Sequence, residues 1–199
     1  MSTLETMTDE ELALAYVDGN NRAFDELLSR SQDKIFSYII CIVKDEDLAN
    51  DLFQETFLKL ITKLRDGHYI NSGKFFWWAT RIAHNVIIDH YRAVKSSKIV
   101  DQGEENDLSN LRCSSMLESN RESELANAQV LRDVRRLMDN LPETQREVVF
   151  MRFFQDLSFK EIAEQTNVSI NTSLGRMRYA LMNMRKLSKQ YGVNLAVDF

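Results

Sequence analysis

Few residues in this chain have the types and spacing that an enzyme or a metal site requires. Among its three histidines, His84 and His90 are six positions apart in one segment, whereas a spacing of three or four places two ligands on one face of a helix. Cys41 and Cys113 lie far apart, and neither begins a Cys-x-x-Cys pair. No phosphate loop, nucleophile elbow or paired acid and base is present. We therefore predict that the protein is not an enzyme and that it uses no metal or other cofactor.

A mixed aromatic and basic segment offers a different chemistry. Trp77 is followed by Arg81, His84 and Ile88 at intervals that share one helical face. Aromatic rings beside cations suit an unpaired DNA strand, because stacking contributes about 1–3 kcal/mol per base while the cations neutralise phosphate. The preceding loop, residues 67–74, is polar and bracketed by glycines. These features predict a surface for a single strand and a loop that accepts a base turned out of the stack. A helix packed on all sides is the alternative.

A second DNA-binding pattern lies nearer the C-terminus. Ser158 and Glu161 have the spacing of a capping box, Asn167 stands where a turn requires a residue that tolerates positive φ, and Ser169 can cap a following helix. This is the spacing of a helix-turn-helix, whose second helix enters the major groove. The positions predicted to be exposed on that helix are Asn171, Thr172, Ser173, Gly175, Arg176, Arg178 and Tyr179.

The helix predicted over residues 46–64 carries a row of acidic side chains. Asp47, Asp51 and Glu55 recur every four positions, opposite an apolar stripe. Like charges at this spacing destabilise an isolated helix by roughly 0.2–0.5 kcal/mol per pair. The row therefore suggests a basic partner surface, with a merely solvated acidic face as the alternative.

The elements that must position these residues are helices. Of 199 residues, 44% are hydrophobic, six are glycine and one is proline, which leaves few tight turns for an all-β fold. We predict an all-α protein with two small helical domains, residues 8–95 and 124–190. Residues 96–123 are rich in serine and acids and cannot bury a core, so we predict a flexible linker there. Residues 191–199 form a C-terminal tail.

The net charge of −5 conceals a segregation of acids and bases. Residues 67–100 hold five basic side chains and one acidic side chain, and residues 165–197 hold no acidic side chain. Two basic patches of this kind match a polyanion. The first eleven residues carry four acids and no base, and no apolar run approaches the ~20 residues that cross a bilayer. We expect a cytoplasmic protein without direct membrane insertion.

Four segments together resemble the sigma factors of bacterial RNA polymerase, in particular the extracytoplasmic-function (ECF) type of the sigma-70 family. Residues 51–57 (DLFQETF) are similar to the core-binding helix of that family, and residues 75–92 to its promoter-melting helix. Residues 141–146 (LPETQR) and 159–164 (FKEIAE) are similar to its region four. The resemblance spans roughly residues 8–190. It implies that the protein binds core polymerase, reads the −10 and −35 elements of promoter DNA and assists strand opening.

The resemblance also implies roles for individual residues. The residues implied to bind core polymerase, at the clamp helices of its largest subunit, are Asp47, Asp51, Gln54, Glu55 and Lys59. The resemblance implies a pocket for a base extruded from the −10 element, formed by Tyr69, Asn71, Ser72, Lys74, Ile82 and Asn85. The other residues predicted to contact this element, from the basic and aromatic helix, are Trp77, Arg81, His84 and Arg92. The residues implied to read the −35 duplex are Ser169, Asn171, Thr172, Ser173, Gly175, Arg176, Arg178 and Tyr179. Further partners implied by the resemblance are the flap of the second-largest polymerase subunit and an anti-sigma factor.

The recognition helix departs from the family pattern. Where the family commonly has GTVKSR, residues 171–176 of this chain are NTSLGR, so the resemblance does not specify a −35 sequence. The alternative function is a helix-turn-helix regulator that binds operators without polymerase and senses a ligand through its N-terminal domain. The two functions differ in whether the protein associates with core polymerase.

Overall fold

The computed structural model describes residues 4–69, 74–98 and 134–192. Within those ranges all regular secondary structure is helical and no strand occurs, which confirms the predicted all-α fold. The chain divides into two compact units, Met1–Leu111 and Arg112–Phe199. Most of the predicted acidic linker and residues 193–199 of the predicted tail lie outside the described residues, so the linker stays a prediction.

The first unit is a helical bundle in which one long helix packs against the three others. After a short 3₁₀ turn it contains α1 (Asp9–Val17), α2 (Asn21–Val43), α3 (Glu46–Arg65) and α4 (Phe75–Lys98). Helix α2 packs against the other three, and α3 packs against α4. Helix α4 continues six residues beyond the predicted end at Arg92, so its last turn enters the segment that the sequence assigned to the linker.

Local side-chain chemistry fixes where the helices of the first unit begin and end. Thr8 and Glu11 form a capping box at the start of α1, and Asp45 accepts a hydrogen bond from the Leu48 amide at the start of α3. Lys44, with φ of 59°, adopts the left-handed conformation that ends α2. These caps satisfy amide groups that the helix itself leaves without partners.

Apolar side chains that recur at three- and four-residue spacing form the core of the first unit. Leu12, Leu27, Ile35 and Ile39 are at most 1% exposed. Such burial is worth roughly 1.5–3 kcal/mol per large side chain. Tyr38 is also fully buried and brings a hydroxyl group into the contact between α2 and α4.

The second unit contains the helices on either side of the predicted turn. They are α5 (residues 134–139), α6 (Glu143–Phe153), α7 (Phe159–Thr166) and α8 (Ile170–Tyr191), and α8 packs against both α6 and α7. Pro142 immediately precedes α6. Its carbonyl accepts hydrogen bonds from the amides of Gln145 and Arg146, at 3.0 and 2.9 Å.

The predicted helix-turn-helix is present in α7 and α8. Ser158 and Glu161 make both bonds of the capping box. Asn167 has φ of 53° and ends α7, and Ser169 caps α8 by accepting a 3.0 Å bond from the Thr172 amide. The buried residues that hold the two helices together include Ile162, Ala163, Met177, Ala180 and Met184. Within the described parts of the chain, no helix is both long and apolar enough to cross a membrane.

Candidate functional site

The acidic residues of α3 lie together on one exposed face. Asp47, Asp51, Gln54 and Glu55 are all exposed, while Leu52, Thr56 and Leu60 on the opposite face are buried. Glu55 forms a 2.8 Å ion pair with half-exposed Lys59, one turn further along. Such a surface pair is worth about 0.3–0.5 kcal/mol, so a stronger cationic partner can replace it.

Leu58 lies on the same side of α3, one turn beyond Gln54 and Glu55, and its spacing did not mark it as a candidate in the sequence. Its side chain is 66% exposed. It follows Gln54 by four residues and Glu55 by three, so the three side chains are neighbours on the helix surface. The signal that could have found it is an apolar residue at a polar position of an amphipathic helix. An exposed large apolar side chain beside polar groups can supply apolar contact area to a protein interface.

A stripe of polar and aromatic side chains runs along α4. Its members recur at intervals of three and four residues and are exposed or half-exposed; they are Lys74, Trp77, Arg81, Asn85, Ile88 and Arg92. The Arg81 guanidinium lies 5.6 Å from the centre of the Trp77 ring. This cation–π contact orders the ring before any ligand arrives. The stripe can therefore offer a flat aromatic surface beside several hydrogen-bond donors.

An aromatic corner lies at the N-terminal end of this stripe. The ring centre of Tyr69 is 5.6 Å from that of Phe75 and 4.9 Å from that of Trp78. The Phe75 amide donates a 3.0 Å hydrogen bond to Glu10 of α1. Burial, followed by the charges of Glu10 and Asp9, raises the pKa of Tyr69 to about 12. The phenol is therefore neutral at physiological pH.

Three of the residues predicted to contact the −10 element are buried in this structure, and for His84 this differs from the exposed face that its spacing predicted. Tyr69 and Ile82 are 8% and 6% exposed. His84, placed by its spacing on the face of Trp77, is 7% exposed, and its Nδ1 lies 3.1 Å from the Tyr38 hydroxyl. His84 is buried where α2 packs against α4, and Tyr69 is buried against Phe75 and Trp78. The predicted Asn71 and Ser72 lie outside the described residues.

The N-terminal half of α8 presents most of its predicted residues to solvent. Ser169, Asn171, Thr172, Arg178 and Tyr179 are exposed. Ser169 and Thr172 also lie 2.8 Å apart through their hydroxyl oxygens, so part of their hydrogen-bonding capacity is used locally. Gly175 and Arg176, the next two of the predicted set, are half-exposed.

Ser173 is a correction to that set. It is fully buried, because its position on α8 faces the rest of the second unit together with Met177 and Ala180. A serine is small enough to fill such a position, and composition alone does not separate it from an exposed one. The structure instead exposes two apolar residues that the sequence analysis did not select, Ile170 at 46% and Leu174 at 44%.

Comparison with known families matches both units of the chain. The family model described as "Sigma-70 region 2" matches residues 27–97, and the one described as "Sigma-70, region 4" matches residues 131–181. The first match contains α3 and α4, and the second contains the helix-turn-helix.

Curated relatives carry the same description. The ECF RNA polymerase sigma factor BldN of Streptomyces coelicolor is 34% identical over 149 residues, which cover 73% of this chain and 52% of that protein. The chain thus spans about half the length of that relative. The RNA polymerase sigma-H factor of Pseudomonas aeruginosa is 29% identical, with coverage of 85% of this chain and 88% of the relative.

Two solved structures share the fold. The sigma factor RpoE from Bartonella quintana, solved in complex with the anti-sigma factor NepR, has a TM-score of 0.64 and 18% identity, and the alignment covers 83% of this chain and 96% of that one. CnrH, solved with the cytosolic domain of CnrY, has a TM-score of 0.60 and 22% identity, covering 92% and 97% of the two chains. Matches to region 2 and region 4 in the expected order, together with these relatives, place the chain in the sigma-70 family as a sigma factor of the ECF type.

Proposed function

We propose that this sigma factor binds core RNA polymerase and directs it to promoters, using three of the surfaces described above. The exposed face of α3 meets the clamp helices of the largest polymerase subunit. The exposed stripe of α4 holds the opened strand of the −10 element. The N-terminal half of α8 reads the −35 element as closed duplex, and the second unit meets the flap of the second-largest subunit.

The observation that carries this proposal is the contrast between two neighbouring helices of the first unit. Helix α3 exposes Asp47, Asp51 and Glu55, with exposed Leu58 beyond them, whereas α4 exposes Arg81 and other donors beside an aromatic ring. An acidic face repels DNA and a cationic stripe attracts it. One helical unit can therefore bind a basic protein surface and an unpaired strand at the same time.

The stripe of α4 suits a strand that has left the duplex. Trp77 and the contacting Arg81 supply a stacking surface and a charge for phosphate, and Asn85 follows Arg81 by one turn with an exposed amide. Stacking is worth about 1–3 kcal/mol per base, and a paired base cannot make it. The stripe therefore stabilises the open form of the promoter relative to the closed form. We expect the −10 contacts at half-exposed Trp77 and at the exposed Lys74, Arg81, Asn85 and Arg92.

Charge reversal on α3 tests the polymerase contact. The double variant Asp51→Lys with Glu55→Lys is expected to lose core binding, since each reversed interfacial charge costs on the order of 2 kcal/mol or more. A second variant, Leu58→Asp, replaces the exposed apolar side chain on this side of α3 and leaves every acid in place. Co-elution with core polymerase and run-off transcription are the measurements, and both variants should fail in both.

Asp25→Lys is the matched control, because Asp25 is an exposed acid on α2 outside the acidic face. It should retain binding and transcription. If the α3 variants bound core polymerase normally, the proposed contact would be wrong. If the unchanged chain bound operators as a dimer and never associated with polymerase, the helix-turn-helix regulator would be the correct function instead.

An anti-sigma partner remains a prediction. The sigma factor RpoE, which shares this fold, was solved with the anti-sigma factor NepR. An inhibitor that covered the acidic face of α3 would compete directly with core polymerase. The test is to purify the tagged chain from its source cells, identify the proteins bound to it and measure whether they compete with core polymerase for the chain. A recovered protein that leaves core binding unchanged would contradict it.

A further inference from the structure

Two apolar side chains lie on the part of α8 that the proposed function places in the major groove. Ile170 and Leu174 are the first and fifth residues of the helix, and they are 46% and 44% exposed. Residues one turn apart have Cβ atoms about 5–6 Å from each other, so the two side chains form one continuous apolar surface. The exposed Asn171 and Arg178 lie beside this surface on the helix.

The charge of the surrounding surface indicates what covers this apolar pair. From Gln165 to Gly192 the chain carries no acidic side chain, and its basic residues are Arg176, Arg178, Arg185, Lys186 and Lys189. A helix with this charge is attracted to a polyanion. Within the major groove, the apolar group that DNA presents is the C5-methyl group of thymine.

Most hydroxyl groups near the start of α8 are engaged within the protein or buried, so they do not compete with the apolar pair for base edges. Ser169 uses its hydroxyl to cap the helix, and Thr172 bonds to Ser169. Ser173 is buried. Among the exposed side chains of the first two turns, Ile170, Asn171 and Leu174 therefore have the greatest freedom to contact base edges. Base pairs stack about 3.4 Å apart, so an apolar pair about 5–6 Å long covers one to two base-pair steps.

We propose that Ile170 and Leu174 read thymine methyl groups in the −35 element, and that Leu174 is a residue that determines sequence specificity. This inference rests on the proposed function, because it requires α8 to lie in the major groove. Asn171 and Arg178 then read or hold the neighbouring positions through hydrogen bonds. The chain recognises at least one thymine by its methyl group rather than by its hydrogen-bonding edge.

The experiment replaces thymine with deoxyuridine, which lacks only the C5-methyl group. A promoter is first selected with the full chain and core polymerase from a library that has a fixed −10 element and a randomised −35 element. Each thymine of the selected −35 duplex is then replaced singly by deoxyuridine, and promoter occupancy and run-off transcript are measured. At one or two positions we expect a loss of about fourfold, the effect of removing one buried methyl group.

Variants identify the side chain that makes the contact. In Leu174→Ala or Ile170→Ala the thymine and deoxyuridine promoters should be bound equally at the position read by the missing side chain. Met182→Ala is the matched control, because Met182 is 42% exposed on the same helix, about two turns further on. It should keep the fourfold preference for thymine.

The outcomes separate the inference from the function on which it rests. If occupancy depended on the −35 sequence, but the selected element contained no thymine or every deoxyuridine promoter was bound as well as its parent, this inference would be overturned and the proposed function would stand. The same follows if Leu174→Ala and Ile170→Ala kept the preference. If no −35 sequence were selected at all, reading of this element by α8 would fail, and the inference with it.

Discussion

Tyr69 places a phenol in an environment that favours its neutral form. Its ring packs against Phe75 and Trp78, its hydroxyl has no hydrogen-bond partner among the described residues, and its pKa is raised to about 12. In the unfolded chain the same group ionises near pH 10. The folded state therefore holds this proton more tightly, and the corresponding stability is present below pH 10 and lost as pH rises toward 12.

Tyr69→Phe should remove this part of the alkaline pH dependence. Urea unfolding between pH 8 and pH 11.5 measures it, and the variant should lose less stability above pH 10 than the parent chain. At pH 7 the two should differ by no more than about 1 kcal/mol, because the lost hydroxyl makes no hydrogen bond within the described structure. Parallel stability curves above pH 10 would contradict the prediction.

His84 and Arg81 separate a structural role from a DNA-binding role on the same helix. His84→Ala leaves the buried Tyr38 hydroxyl without this partner and should destabilise the first unit by about 2–3 kcal/mol. Arg81→Ala removes an exposed side chain and should change stability by no more than about 0.5 kcal/mol. Thermal unfolding compares the stability of the two variants. A promoter that carries a fluorescent base reports strand opening and compares their activity.

At a temperature where both variants remain folded, Arg81→Ala should open the promoter less well than His84→Ala. The opposite pattern, with a stable His84→Ala protein that fails to open promoters, would restore the interpretation made from the sequence. That interpretation used the seven-residue interval between Trp77 and His84, which does place both on one side of α4. It could not include Tyr38, because the contact is made by another helix and histidine is common both in cores and on surfaces.

At the level of elements, short-range chemistry specified the helix-turn-helix well. The capping box at Ser158, the left-handed Asn167 and the cap at Ser169 are all present as the sequence predicted. Each depends on residues within three or four positions of one another, so the sequence contains the whole interaction. The burial of Ser173 depends on how α8 packs against its neighbours, and this long-range contact has no local signature.

Removing the first of these caps should weaken the second unit measurably. The Ser158 side chain accepts a bond from the Glu161 amide, while Glu161 accepts bonds from Ser158 at 2.8 and 2.7 Å. Ser158→Ala should cost about 1 kcal/mol of unfolding free energy, measured by denaturant titration. Lys160→Ala, an exposed substitution on the same helix, is the control and should change it by no more than about 0.5 kcal/mol. Equal stability of the Ser158 variant and the control would show that the cap contributes nothing.

For the molecule as a whole, the distribution of charge predicts that DNA binding depends on polymerase. The chain carries a net charge of −5, and the exposed basic residues of the two proposed DNA-binding surfaces lie on different helices, α4 and α8. We expect each surface alone to bind DNA as weakly as nonspecific protein–DNA contacts do, with dissociation constants of roughly 10⁻⁴–10⁻⁶ M at physiological salt. Under the proposed function, core polymerase would add its own contacts and hold both surfaces on one promoter, which would raise the effective concentration of the second contact.

A gel-shift titration tests this dependence. The chain alone should bind a promoter and a scrambled duplex with similar weak affinity. Addition of core polymerase should increase promoter affinity by about 10²-fold or more. Tight and sequence-specific binding by the isolated chain would contradict the prediction. The segregation of charge that motivates this test was visible in the sequence, but its assignment to the exposed faces of particular helices required the fold.

The contact between Glu10 and the Phe75 amide has a practical consequence for engineering. This contact fixes the chain shortly after the segment 70–73, at Phe75. The packing of Tyr69 on Phe75 and Trp78 fixes the residue that precedes the segment. Substitutions at those four positions leave Glu10, Tyr69, Phe75 and Trp78, which make these flanking contacts, unchanged. A library randomised there offers a route to orthogonal transcription circuits in which polymerases with altered promoter preferences operate side by side in one cell.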